Sequence, residues 1–281
     1  MSALTYEELV RALFPRLTGG IRWGLERTDR LLASVGQPHL RYPAIHVGGT
    51  NGKGSVAAMM ASVLREAGLR TGLYASPHLC TFRERIQIDG EPVSEAALVA
   101  AAERLWDGIR AESPSFFEAT TAIAFLALAE ADVEVAVIEV GLGGRLDATN
   151  VILPAVTVLT NVSLDHVQLL GDSVEAVARE KAGIIKAGIP VVTGADGAAL
   201  EIFRNRAREV GAPLEVLGPV AVTAGPAQTE VAIETAAWGA LHLRTPLLGT
   251  HQGLNAALAV RALEQLPPRL RPDAHAVRAG V

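Results

Sequence analysis

The chain has 281 residues, 49% of them hydrophobic and 20% charged, a globular composition that excludes a disordered chain. A net charge of -5 argues against a broad basic nucleic-acid footprint, and a lone cysteine, Cys80, excludes a disulfide framework or a cysteine-cluster zinc site. No apolar run reaches the roughly 18 residues of a membrane span, and the N-terminus carries early acids without an apolar signal core, so the expected setting is cytoplasmic, with no membrane partner.

In chain order, the first 40 residues read as helix and loop, broken at Gly19-Gly20 and Pro38. An apolar run over 43–47 is strand-like and leads into Gly48-Gly49-Thr50-Asn51-Gly52-Lys53-Gly54-Ser55. Val56, Met59, Met60, Val63 and Leu64 then recur at helical spacing up to Gly68. A strand over 71–75 follows, which makes a βαβ unit. Helices are predicted over 94–110, 118–130, 173–186, 198–210 and 252–266, and strands over 133–139, 155–160, 189–193 and 214–217. Such alternation predicts an α/β fold, with a mostly parallel sheet covered by helices on both faces. Shorter β-like segments interrupt the pattern between 219 and 250. The tail, 267–281, has three prolines and reads as a linker without a closing element. The domain expectation is therefore one unit over 1–266, with the β-rich part inside it.

The glycine turn carries the first chemical signal. Between a strand and a helix, glycines let backbone N–H groups face one concavity, and the helix N-terminus adds positive potential. Lys53 supplies a point charge for β/γ-phosphates, and the hydroxyl of Ser55 can ligate Mg2+. The strict G-x-x-x-x-G-K-[ST] spelling fails twice: Val47 stands where the first glycine belongs, and Gly54 separates Lys53 from Ser55. The strand before the turn and the helix after it favour a phosphate loop over an ordinary turn. The chain has only three lysines, Lys53, Lys181 and Lys186, against 22 arginines; a lysine here hints at a place where a compact or titratable amine is of use, the alternative being that the three are accidental survivors.

The spelling Gly49-Thr50-Asn51-Gly52-Lys53-Gly54-Ser55 resembles the phosphate loop of the folylpolyglutamate synthase/dihydrofolate synthase family, within the Mur-ligase superfamily. The resemblance runs through Gly24-Leu25-Glu26-Arg27, Ser76-Pro77-His78-Leu79, Glu84-Arg85-Ile86, Ser115-Phe116-Phe117-Glu118 and the stretch from Glu139 to Asn150. It continues through Leu164-Asp165-His166, Glu180-Lys181-Ala182-Gly183, and His251-Gln252 with Asn255. It implies a P-loop NTPase-like fold, the central domain of a Mur ligase, followed by a C-terminal domain that would complete the ATP and glutamate sites. By that expectation this chain alone ligates poorly.

The same resemblance implies the ligands and the roles. ATP is a substrate held by residues 49–55 together with Gln252 and Asn255. One of two Mg2+ ions sits at Ser55, and the other at Ser76, Glu139 and His166. Lys53, His166 and a carbamylated Lys181 are the catalytic set. Ser115, Phe116, Phe117, Leu146, Asp147 and Ala148 line the pterin pocket, where apolar faces and one acid suit a flat heteroaromatic. Taken alone, Glu139 and His166 could equally be a solvated strand end and a turn residue, Phe116 and Phe117 core packing, and Lys181 a surface cation. The implied reaction adds L-glutamate to the carboxylate of dihydropteroate or a reduced folate through an acyl phosphate, in a monomer. The competing readings are a cell-wall amino-acid ligase and a nucleotide-binding module without catalysis. His39, His46, His242 and His275 have no assigned role.

Overall fold

The computed structural model describes residues 4–14 and 23–281; the expected break at Gly19-Gly20 lies outside them. Helices α1 (Tyr6–Leu13) and α2 (Glu26–Ser34) precede β1 (Ala44–Gly48), a strand buried along its whole length. The glycine turn joins β1 to α3 (Lys53–Glu66), and β2 (Thr71–Tyr74) follows. Two short strands, β3 (Ile86–Ile88) and β4 (Glu91–Pro92), add an antiparallel edge that residue pattern does not announce, because each is too short to show a period. The chain continues through α4 (Glu95–Glu112), α5 (Phe116–Glu130), β5 (Val135–Glu139) and β6 (Val156–Leu159). Then come α6 (Val167–Leu170), α7 (Val174–Ala182), β7 (Val191–Thr193), α8 (Gly197–Val210) and β8 (Leu214–Val216).

The large sheet has the order β4-β3-β2-β5-β1-β6-β7-β8, and β2, β5, β1, β6, β7 and β8 run parallel. β5 alternates across it: Ala136 and Ile138 face the core under α4 and α5, while Val135 and Val137 face the core under α3. Burial on both faces explains the unbroken apolar spelling of these strands. α5 is buried all round, which suits its position between the sheet and α2 and α4. Removing the ring of its fully buried Phe125 would cost about 3–5 kcal/mol. This helix starts at Phe116, ahead of the expected Glu118, because Ser115 and Glu118 close a capping box. α7 stops at Ala182, short of the expected Lys186. A Cβ on Gly183 would stand 2.3 Å from the Cβ of Arg145, so the chain here is shaped by a neighbouring loop.

A separate antiparallel sheet, β9 (Ala221–Ala224), β10 (Thr229–Thr235) and β11 (Gly239–Thr245), occupies the β-rich stretch. Val231, Ile233, Leu241 and Leu243 point inward and share a core with α3 and with α9 (Thr250–Glu264). The tail departs from the linker expectation. Residues 274–280 form α10 (Ala274–Gly280), capped by Asp273 and packed on α3, with Val277 and Val281 buried. Gly280 permits this: a Cβ there would meet the backbone of Val63 at 2.5 Å. Among the described residues no helix is long and apolar enough to cross a membrane.

Candidate active site

β1, β5 and β6 end at one level, since Val47 pairs with Glu139 and Gly48 with Leu159. β5 and β6 flank β1 although they follow it by about 90 and about 110 residues, so the chain changes direction here, and such a switch point opens a crevice beyond the carboxyl ends of the strands. The phosphate loop starts at this crevice. Gly49 has φ +136°, and a Cβ on it would come within 1.9 Å of the Thr160 hydroxyl. Two residues just past β6 tie the loop down. Thr50 N donates to Asn161 O at 2.8 Å and Asn51 N to Asn161 Oδ1 at 3.0 Å, while the Thr160 hydroxyl donates to Asn51 O at 2.7 Å. Thr160 and Asn161 escaped the sequence reading; a Thr-Asn pair at the end of a β-branched run was their only signal.

Gly52, at φ +82°, caps α3 in a left-handed conformation, and a Cβ there would meet the Asn255 amide oxygen at 2.5 Å. The start of α9 and the phosphate loop are therefore in contact, and Asn255 Nδ2 donates to Gln252 Oε1 at 3.0 Å. No side chain caps α3 among the described residues, so the N–H groups of its first turn remain open to an anion. The Lys53 ammonium donates to Thr50 O at 3.0 Å. Lys181 is buried rather than a surface cation, and its ammonium donates to Gly49 O at 2.8 Å. Burial, with the nearby charge of Lys53, pulls its pKa down to about 8.

Glu139 ends β5, buried, and its Oε2 accepts from Ser76 N at 3.0 Å. Burial pushes its carboxyl above the usual carboxylate range, against the pull of the Ser76 N–H and of Lys53. A buried carboxylate that accepts from the Ser76 backbone and lies 3.8 Å from where a Cβ on Gly54 would stand is a hard oxygen donor beside the phosphate loop, of the kind that suits Mg2+. His166 lines the same crevice in a left-handed conformation, half exposed, with Nε2 3.5 Å from Asp165 Oδ1. Among the described residues no three His, Cys, Asp or Glu side chains gather as a ready-made metal cluster.

A cavity of about 740 Å3 opens in the crevice. Thr50, Asn51, Lys53, Ser76 and His166 form one part of its wall, and Ser115, Phe116, Phe117, Leu146, Asp147 and Ala148 another. Ser55, Glu139, Lys181, Gln252 and Asn255 do not contribute to that wall. Phe116 packs between Phe14 and Phe82. The Phe117 ring occupies the space that a side chain on Gly141 would need, with ring atoms 2.3–2.8 Å from such a Cβ. Ser115 serves mainly as the cap of α5, and Glu118 also binds Arg27 at 2.9 Å. Asp147 is buried, and its acceptors are largely taken by its own loop. Oδ2 accepts from Leu142 N at 2.8 Å, and Oδ1 from Thr149 N at 3.0 Å and the Thr149 hydroxyl at 2.5 Å. Burial still holds its carboxyl above the usual range. Arg85, given no role from sequence, also lines the cavity. It donates through Nε to His78 Nδ1 at 2.8 Å and lies 5.3 Å from the centre of the Phe116 ring. Its place in Glu84-Arg85-Ile86 was the available signal.

Residues 47–263 match the family model of the Mur ligase middle domain. The chain belongs to the Mur ligase family. Within it, the chain is 40% identical over 273 residues to the dihydrofolate synthase/folylpolyglutamate synthase of Bacillus subtilis, aligning 93% of itself with 64% of that protein. It is 35% identical to the protein of a solved FPGS–AMPPCP–folate complex, with a TM-score of 0.88 over 98% of this chain and 71% of that one. The Mycobacterium tuberculosis folylpolyglutamate synthase complexed with ADP is also similar, at 35% identity and a TM-score of 0.90, with 98% of this chain matched to 64% of that one. The chain thus spans about two thirds of the length of these Mur ligase relatives.

Proposed function

We propose that this chain carries the nucleotide and pterin sites of an ATP-dependent ligase that joins the amine of L-glutamate to the carboxylate of dihydropteroate or a reduced folate. The observation that supports this most is one cavity whose wall runs from Lys53 of the phosphate loop to Phe116, Phe117 and Asp147. A cavity of that size accommodates a drug-sized ligand, so a phosphate and a flat aromatic could meet within it. The names of the relatives point the same way.

In this reading the amides at the start of α3 and the Lys53 ammonium hold the β/γ-phosphates, the ammonium leaving Thr50 O to do so. Gln252 and Asn255 lie on the nucleoside side. Ser55 would hold a triphosphate-side Mg2+, and Ser76, Glu139 and His166 a second. When bound, the two ions neutralise charge on the transferring phosphoryl group. The buried Lys181 amine, neutral more often than an ordinary lysine, attacks the carbon of CO2 and releases a proton to water, giving a carbamate anion on the metal side of the loop. Phe116, Phe117, Leu146 and Ala148 clasp the ring faces. Phosphorylation of the pterin carboxylate gives an acyl phosphate, which the glutamate amine attacks with loss of phosphate. The protein's part is to position the reactants and exclude water.

The test offers Mg·ATP and L-glutamate with dihydropteroate, tetrahydrofolate or a cell-wall peptide precursor, and measures phosphate release and glutamate incorporation in parallel. Pterin-dependent phosphate release is the expected result. Turnover only with the cell-wall precursor would overturn the substrate assignment.

A further inference from the structure

His46 is the central residue of β1, fully buried, and the proposed chemistry gives it nothing to do. Its Nε2 lies 2.9 Å from the Thr149 hydroxyl oxygen, and that hydroxyl lies 2.5 Å from Asp147 Oδ1. A hydroxyl has one proton to give. Asp147 also accepts from the backbone of Leu142 and Thr149, which favours its ionised form, so the hydroxyl proton goes to Asp147. Thr149 can then only accept from histidine, which requires a proton on Nε2. Nδ1 is left bare, and it is buried without a partner among the described residues. An orphan acceptor is better tolerated than an orphan N–H, so the surroundings favour the same tautomer. The charged groups facing the ring are Asp147, through Thr149, and Lys186, whose ammonium donates to Asn150 O at 3.0 Å. Burial first, and then Lys186, hold His46 neutral, with a pKa near 3.

We propose that His46 is a positioning residue for the substrate pocket: through Thr149 it fixes the orientation and ionisation of Asp147. This rests on the reading of Asp147 as the acid that meets the pterin. The contact joins positions 103 residues apart. It also ties that acid to the strand that leads directly into the phosphate loop.

Two pairs of variants test it. His46→Leu and Thr149→Val remove the relay, while His46→Gln and Thr149→Ser keep a donor and a hydroxyl. Each removing variant should weaken dihydropteroate binding about tenfold, the size of one hydrogen bond, and leave the affinity for AMPPCP unchanged. The double variant should be no weaker than either single one, and the conservative pair should stay close to wild type. Independently of any pterin, 15N spectra should show His46 with a protonated Nε2 and a bare Nδ1 from pH 5 to 8. The 13C carboxyl signal of Asp147 should titrate at higher pH in Thr149→Val than in Thr149→Ser. Additive losses, unchanged pterin affinity in folded variants, or an Nδ1-protonated ring in the wild type would overturn the relay. A wild-type chain that binds no pterin would defeat the pocket reading instead; the tautomer and the Asp147 titration would still decide the relay.

Discussion

Residues 48–54 and 141–147 make an instructive pair. Each segment leaves the carboxyl end of a buried parallel strand, and each is rich in glycine, with four in the first and three in the second. In the first, the outer leg is pinned to Asn161, and the N–H groups at the start of α3 stay open. In the second, the amide of Leu142 and, just beyond, that of Thr149 already close on Asp147. In the proposed function the first loop receives an anion from solution; the second has its anion built into the chain. Glycine content alone does not distinguish them, because what matters is whether a carboxylate follows within reach of the amides.

The comparison breaks or sharpens under four measurements. Asp147→Ala should have the largest effect. It leaves two amides and a hydroxyl unpaired in a buried place, at about 1–3 kcal/mol each, so urea denaturation should show a loss of at least about 3 kcal/mol. Equal stability to wild type would mean that the second loop does not depend on its own carboxylate. Lys53→Ala should do the reverse: stability within about 0.5 kcal/mol of wild type, and Mg·AMPPCP affinity by calorimetry down about 100-fold. An unchanged affinity would remove the loop from the nucleotide site.

Lys181 comes next. With its pKa near 8, the neutral amine grows as pH rises through that value, whereas an ordinary lysine stays protonated until about 10.4. At constant dissolved CO2, a 13C carbamate signal should rise between pH 7 and 9 and be absent in Lys181→Ala. A signal that persists in the variant would assign the carbamate elsewhere. At neutral pH the smallest effect is that of His46, whose charge linkage shows only under acid. Its folded pKa, near 3, lies below the ordinary 6.5, so its contribution is fully present above pH 6.5 and is lost as pH falls toward 3. Relative to His46→Leu, the wild type should lose up to about 1.4 kcal/mol per pH unit in that window. Parallel stability curves for the two proteins would show that the ring is not held neutral.

Much of this architecture was written in local pattern. The β-branched runs before Glu139 and before Thr160 could only be buried strands, and Ser115 with Glu118 marks a helix start that a hydrophobicity count places two residues late. The phosphate loop is legible because its chemistry depends on neighbours in sequence. Thr160, Asn161, Arg85 and the His46–Thr149 contact are not, since each acquires meaning from a partner on another element. The tail misled for a related reason: its prolines read as linker, while the feature that fixes α10 is the bare Cα of Gly280 against Val63. For Asp147 the residue was visible, but its commitment to Leu142 and Thr149 was not.

That contact between Gly280 and Val63 has a mechanical side. α3 is a stiff rod with the phosphate loop at one end, and Val63 lies ten residues, about 15 Å, along it from Lys53. At Gly280 backbone is set against backbone, while Val277 and Val281 share the core of α3 on either side of it. At this point α10 therefore bears directly on the backbone of α3, the helix whose first turn carries the open N–H groups.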